Sequence, residues 1–184
     1  MSDKQRRTLA VLVDNESGVL SQVTRLFSRK GYNIESLAVG ATDNLAVSRI
    51  TIEVDANDDE INLLCNQLNK LFQVHSVKLL SPQYSIKREL VLIKVKAENS
   101  DARNEIMQIA SIFRASIIDV SIESLTVAVI GSGDKLYAFQ DLLAQHGIME
   151  LVRTGIVALE RGSFTIDEAT KVKNEYDYAK ALLW

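Results

Sequence analysis

Cysteine, proline and histidine are almost missing from this chain of 184 residues, which has one cysteine, one proline and two histidines. A single cysteine excludes an internal disulfide, so covalent cross-linking plays no part in the fold. The soft ligands are Cys65, His75 and His146, too dispersed to provide the ligand spacing of a zinc site. No apolar run approaches the length that spans a bilayer, and Met1 to Arg7 lacks the apolar stretch of a secretory signal. A cytoplasmic chain without membrane contact is expected. Neither charge sign dominates: 21 basic and 24 acidic residues leave a net charge of −3, which gives no general attraction to nucleic acid. The pairs Arg6-Arg7, Arg29-Lys30 and Lys87-Arg88 lie scattered among acidic residues and read as solvated surface. No Ser/His/Asp or Cys/His set has workable spacing, so nothing supports catalysis or a metal site in this chain.

What the chain has is apolar content and clear periodicity. Hydrophobic residues make up 47% and charged residues 24%, the composition of a globular protein. Hydrophobic period predicts strand 8–14, helix 18–30, strand 33–41, strand 46–54, helix 57–71 and strand 73–80. Pro82 then removes a backbone donor and biases the preceding residue away from helix, so a domain boundary is placed there. Beyond it the order returns: strand 88–97, helix 101–112, strand 115–122, strand 125–131, helix 134–145 and strand 148–159. The prediction is an α+β fold of two tandem ferredoxin-like βαββαβ domains, at 1–82 and 83–162. A tail follows at 163–184, read as helical from the capping box Thr165-Ile166-Asp167-Glu168, or else as a loose terminus.

Cys65 falls on the stripe Ile61, Leu64, Cys65, Leu68, Leu71 and is read as a buried thiol. His146 precedes Gly147 at a helix end, and His75 lies in a strand-like run as a packed or interfacial ring. Gly131-Ser132-Gly133 is reminiscent of a dinucleotide loop but lacks the third glycine, so a tight strand-to-helix turn explains it better. Leu9 to Val13 and Leu90 to Ile93 are apolar at every position, so both faces of these strands need cover. Another sheet, helix or subunit is expected against the second face, and a homodimer or larger homo-oligomer follows.

The richest stretch is Asp14-Asn15-Glu16-Ser17-Gly18-Val19-Leu20, between a strand and a helix. Such a loop points bare backbone N–H groups and the positive helix end at whatever lies ahead, which suits a small carboxylate. Gly18 would let a ligand come close. The amides of Gly18, Val19 and Leu20 could take the carboxylate, and oxygens at Asn15 and Asn33 could accept from an ammonium. Val19, Leu20 and Ile34 could line an apolar pocket. These features suggest an amino-acid sensor. The competing reading for Asn15 and Ser17 is plain capping of the first helix. In the second half, Ala97-Glu98-Asn99-Ser100-Asp101 occupies the matching loop without the glycine, so effector binding is assigned to the first half.

Asn15-Glu16-Ser17-Gly18 and Gly31-Tyr32-Asn33-Ile34-Glu35-Ser36-Leu37 together resemble the acetolactate synthase (acetohydroxyacid synthase) small regulatory subunit, an ACT-domain family. The resemblance continues through Ser48-Arg49-Ile50-Thr51-Ile52, Arg88-Glu89-Leu90, Ile112-Phe113-Arg114-Ala115 and Ile117-Ile118-Asp119-Val120. It closes at Arg153-Thr154-Gly155-Ile156-Val157-Ala158-Leu159-Glu160-Arg161-Gly162 and so spans roughly residues 6–162. The family's effector positions match at Asn15, Gly18, Asn33 and Ile34. The resemblance implies a chain without activity of its own. It would activate a separate large subunit carrying thiamine diphosphate, FAD and Mg²⁺, and confer feedback inhibition by valine in branched-chain amino-acid biosynthesis, with leucine or isoleucine as weaker effectors. It also implies that first-half domains pair, so that valine bridges the Asn15 loop of one subunit and Asn33 of the other. The alternative is a free-standing amino-acid-sensing ACT regulator of another enzyme or of transcription, although no helix-turn-helix or basic stripe is visible.

Overall fold

In the computed structural model, which describes residues 4–166, the βαββαβ order occurs twice. The first runs β1 (Gln5–Asp14), α1 (Val19–Lys30), β2 (Ile34–Ala41), β3 (Val47–Ala56), α2 (Asp58–Leu68) and β4 (Val74–Leu80). The second runs β5 (Ser85–Lys96), α3 (Ser100–Phe113), β6 (Ser116–Val120), β7 (Ser124–Gly131), α4 (Gly133–Ala144) and β8 (Ile148–Arg153), with β9 (Val157–Glu160) after it. The strand orders β2-β3-β1-β4 and β6-β7-β5-β8, antiparallel throughout, are those of the ferredoxin-like fold.

Period explains the first core. Leu9, Val11 and Val13 of β1 face the same way as Ile50, Ile52 and Val54 of β3, and all are buried. Against them α1 lays Val23, Leu26 and Phe27, and α2 lays Ile61, Leu64, Cys65 and Leu68. Each such side chain removed from water contributes about 1.5–3 kcal/mol. A capping box fixes the start of α2: Asn57 accepts from the Glu60 amide at 2.9 Å, and Glu60 accepts from the Asn57 amide at 2.9 Å. In the second unit, Val91, Ile93, Val127 and Val129 meet Ile106, Leu136, Phe139 and Leu143, with the Phe113 and Phe139 rings 5.2 Å apart.

The strand expected over 148–159 is broken at Thr154, Gly155 and Ile156, because Gly155 takes φ 79°. One compact unit comprises residues up to Ile86 together with the segment from Ala158, and the other is Lys87–Val157. This differs from the division expected at residues 82 and 162. Ser85 and Ile86 begin β5 but stay with the first unit, where Ser85 Oγ donates to the Ser81 carbonyl at 2.7 Å. The segment from Ala158 rejoins that unit, and the Arg161 amide donates to the Tyr84 carbonyl at 2.8 Å.

That return alters the expectation that another sheet, helix or subunit must cover the second face of β1. The far face of the first sheet carries Thr8, Ala10 and Leu12 beside Arg49, Thr51, Glu53, Ser76, Lys78 and Leu80, so it is more polar than β1 suggested. Part of its cover is the chain's own segment: Lys78 forms a buried ion pair with Glu160, and Arg49 donates to the Ala158 carbonyl at 2.7 Å. Thr8 Oγ1 donates to Glu53 Oε1 at 2.8 Å on the same face. Ser163 to Ile166 form no regular element, and the rest of the expected helical tail, from residue 167, lies outside the described residues.

Candidate functional site

Helix α1 opens without a side-chain cap. Gly18 occupies the N-cap position at φ 88° and ψ −16°, a left-handed conformation that L-residues rarely adopt. The first intrahelical bond runs from the Gln22 amide to the Gly18 carbonyl at 3.1 Å, and the Val19 amide reaches only Glu16 O, at 3.5 Å. The Leu20 and Ser21 amides therefore lie ahead of the helical ladder. No acidic residue lies in the first turn, so the positive helix end is not neutralised there. Backbone torsion adds a reason for glycine at this position. A Cβ at Gly18 would meet nothing within 4 Å, so torsion demands glycine and the space in front of it is open.

The second half takes the opposite course. At α3 the Asn99 side chain accepts from the Ala102 amide at 2.8 Å, an ordinary N-cap that uses one of the bare amides. Of the two matching loops, the first leaves its helix end uncapped and the second closes it.

Asn15 does not cap α1. Its Nδ2 donates to the Leu45 carbonyl at 2.8 Å, its Oδ1 accepts from Ser48 Oγ at 3.0 Å, and its amide donates to Ala46 O at 2.8 Å. It therefore clamps the β1–α1 loop to the β2–β3 hairpin, leaving Oδ1 capacity for one further donor. Val19 was expected to line the pocket, but its side chain is buried in the core and only its backbone is offered to the site. Leu20 points outward, 39% exposed.

Asn33 is exposed and donates to Glu35 Oε1 at 2.5 Å, while Ile34 is half-buried against the core. Register places these two at the far end of the sheet from the loop. Asp14 pairs with Val47 at one end of β3, whereas Ile34 pairs with Val54 at the other. The seven-residue interval along β3 corresponds to about 23 Å. One chain thus brings Asn15, Gly18, Val19 and Leu20 together and keeps Asn33 and Ile34 apart from them.

The loop end also holds residues that sequence reasoning did not assign to the site. Asp14 Oδ1 and His75 Nε2 lie 2.7 Å apart, and the Asp14 amide donates to the Gln73 carbonyl at 2.9 Å. Leu45 and Phe72 flank the loop at 78% and 92% exposure. The available signal was an apolar residue inside each of two otherwise polar connections, Asp43-Asn44-Leu45 and Phe72-Gln73.

Two family models match the chain: one described as the small subunit of acetolactate synthase, over residues 88–162, and one as an AHAS small subunit-like ACT domain, over residues 9–76. A probable acetolactate synthase small subunit of Archaeoglobus fulgidus is 47% identical over 86% of this chain and 98% of its own length. The acetolactate synthase small subunit of Haemophilus influenzae is 44% identical, over 88% of this chain and 99% of that one. The chain belongs to the acetolactate synthase small-subunit family. The crystal structure of the Thermotoga maritima acetolactate synthase small subunit superposes with a TM-score of 0.81 at 37% identity, covering 87% of this chain and 99% of that one. In this small-subunit fold the ACT match contains the whole uncapped loop, Asn33, Ile34 and the Asp14–His75 pair. Among the described residues no helix is long and apolar enough to cross a membrane.

Proposed function

We propose that this chain regulates a separate acetolactate synthase large subunit, raising its activity and making it sensitive to valine, with leucine and isoleucine as weaker effectors. The large subunit carries thiamine diphosphate, FAD and Mg²⁺ and condenses two 2-keto acids in the route to the branched-chain amino acids. The observation that carries the effector reading is the uncapped α1 end at Gly18, set against the capped α3 end at Asn99. Valine's carboxylate accepts from the amides of the first turn, and its ammonium donates to Asn15 Oδ1 and to a neighbouring Asn33.

The opposite placement of Asn33 supports a site shared between subunits. Strand β2 is an edge of its sheet and presents unpaired backbone groups for a second copy. An antiparallel β2-to-β2 pairing about a twofold axis sets the Ile34 end of one strand beside the Ala41 end of the other, which is the end that holds the Asn15 loop. Valine then shifts the complex toward a less active arrangement only by its differential affinity, for which coupling of about 1–3 kcal/mol is typical.

The test is reconstitution with the large subunit, following acetolactate production with and without valine. Activation by this chain together with valine inhibition is expected. A large subunit whose rate and valine response are unchanged by saturating amounts of this chain overturns the proposal.

A further inference from the structure

The far face of the first sheet contains a cavity of about 630 Å³ that the effector reading does not use. That volume lies within the range of small-molecule sites, about 300–1,000 Å³. Leu12, Val47, Leu80, Leu159 and Phe164 supply apolar walls, and Arg49 supplies a guanidinium. We propose that this cavity is a second ligand site, separate from the β1–α1 loop, which takes a small aliphatic monocarboxylate on Arg49.

Arg49 is the reason for the carboxylate. Its hydrogen bond goes to a neutral acceptor, the Ala158 carbonyl at 2.7 Å, and among the described residues it forms no direct ion pair. A guanidinium has five N–H donors in a planar fork, and one carbonyl accepts from one of them. Burial pushes the Arg49 pKa down, with Glu160 opposing that effect, so the positive charge lies where water screens it poorly. A carboxylate guest accepts two parallel N–H bonds there and neutralises the charge.

The remaining lining narrows the class. Glu160, ion-paired with Lys78 in the same cavity, adds a repulsion that grows with each negative charge on a guest, so one carboxylate is favoured over two. The apolar walls have little to offer a sugar or a polyol and favour an alkyl body. One carboxylate on a short aliphatic chain satisfies both limits. Thr42, Asp43 and Asn44 of the β2–β3 hairpin also line the cavity, and that hairpin is the one Asn15 clamps, yet Gly18 and the first turn of α1 are not part of it.

Calorimetric titration of the full-length chain with hexanoate, beside uncharged hexan-1-ol, tests the inference. Saturable binding of one hexanoate per chain is expected, with hexan-1-ol far weaker. Arg49→Gln should weaken hexanoate by about tenfold or more, as loss of a charge-assisted bond implies. Gly18→Asp should leave hexanoate binding intact while valine binding weakens by about tenfold or more, so failure of the effector reading and failure of this one give different patterns. Because Arg49→Gln removes a partly buried group, the Arg49 Nε–H resonance of the unsubstituted protein provides a second readout and should move on saturation with hexanoate. No saturable binding, an unmoved resonance, or hexanoate binding abolished by Gly18→Asp overturns the assignment.

Discussion

Replacing Gly18 by aspartate separates backbone strain from charge at the proposed effector site. Gly18 lies at φ 88° with open space beyond its Cα, so any L-residue there meets torsional strain and no clash. Such strain costs about 1–2 kcal/mol for an ordinary residue and less for Asp or Asn, whose short polar side chains tolerate this region. An aspartate at a helix N-terminus also gains about 0.3–1 kcal/mol from the macrodipole. The two terms nearly offset, and Gly18→Asp should unfold within about 1 kcal/mol of the original chain. Valine binding should behave differently. Two like charges about 4 Å apart repel by about 1–4 kcal/mol between fully solvated and surface-like dielectric conditions, and every 1.4 kcal/mol is about tenfold in affinity. Gly18→Asn is the matched control, since it keeps the torsional demand and lacks the charge. Urea unfolding should place the two variants close together, and calorimetric valine titration should place them about tenfold or more apart. Equal valine affinity for the aspartate and asparagine variants would refute the claim that the ligand's carboxylate sits on this helix end.

Three further outcomes are expected. A mixed dimer of Gly18→Asp and Asn33→Ala chains should retain one valine site of original affinity and one doubly damaged site; two equally weakened sites would mean that each chain binds its own ligand. The purified chain alone should produce no acetolactate from pyruvate, and turnover that follows the chain through rigorous purification would sink the regulatory assignment. Burial pushes the Cys65 thiol up to about 11 from an ordinary 9.0, so the folded state holds this proton after the unfolded state has released it. Stability should therefore fall by about 1.4 kcal/mol per pH unit as pH rises between those two values, and Cys65→Ala should remove that slope in unfolding titrations.

The order of elements was legible because it is written in local period. Alternation in Ile50, Ile52 and Val54 and helical spacing in Ile61, Leu64, Cys65 and Leu68 are properties of neighbouring residues, and burial follows them. That the second loop lacks a counterpart of Gly18 was legible in the same way, whereas the bare end of α1 and the Asn99 cap of α3 depend on side-chain orientations that only the structure gives. The role of Asn15 was not legible either, since its partners Leu45 and Ser48 are brought to it by the β1–β3 register, and a preference for capping says nothing about a hairpin thirty residues away. Val19 illustrates the limit on one residue: its apolar character was evident, but whether it faced ligand or core depended on how α1 lies on the sheet. The far face of β1 depended on the chain's own return at Ala158, where Gly155 ends one strand and Arg49 and Lys78 meet the next segment. The separation of Asn33 from the Gly18 loop is likewise a matter of register along β3. Periodicity along a chain identifies which residues avoid water, whereas which distant residues meet is decided by strand pairing and by the chain segments that close over each face.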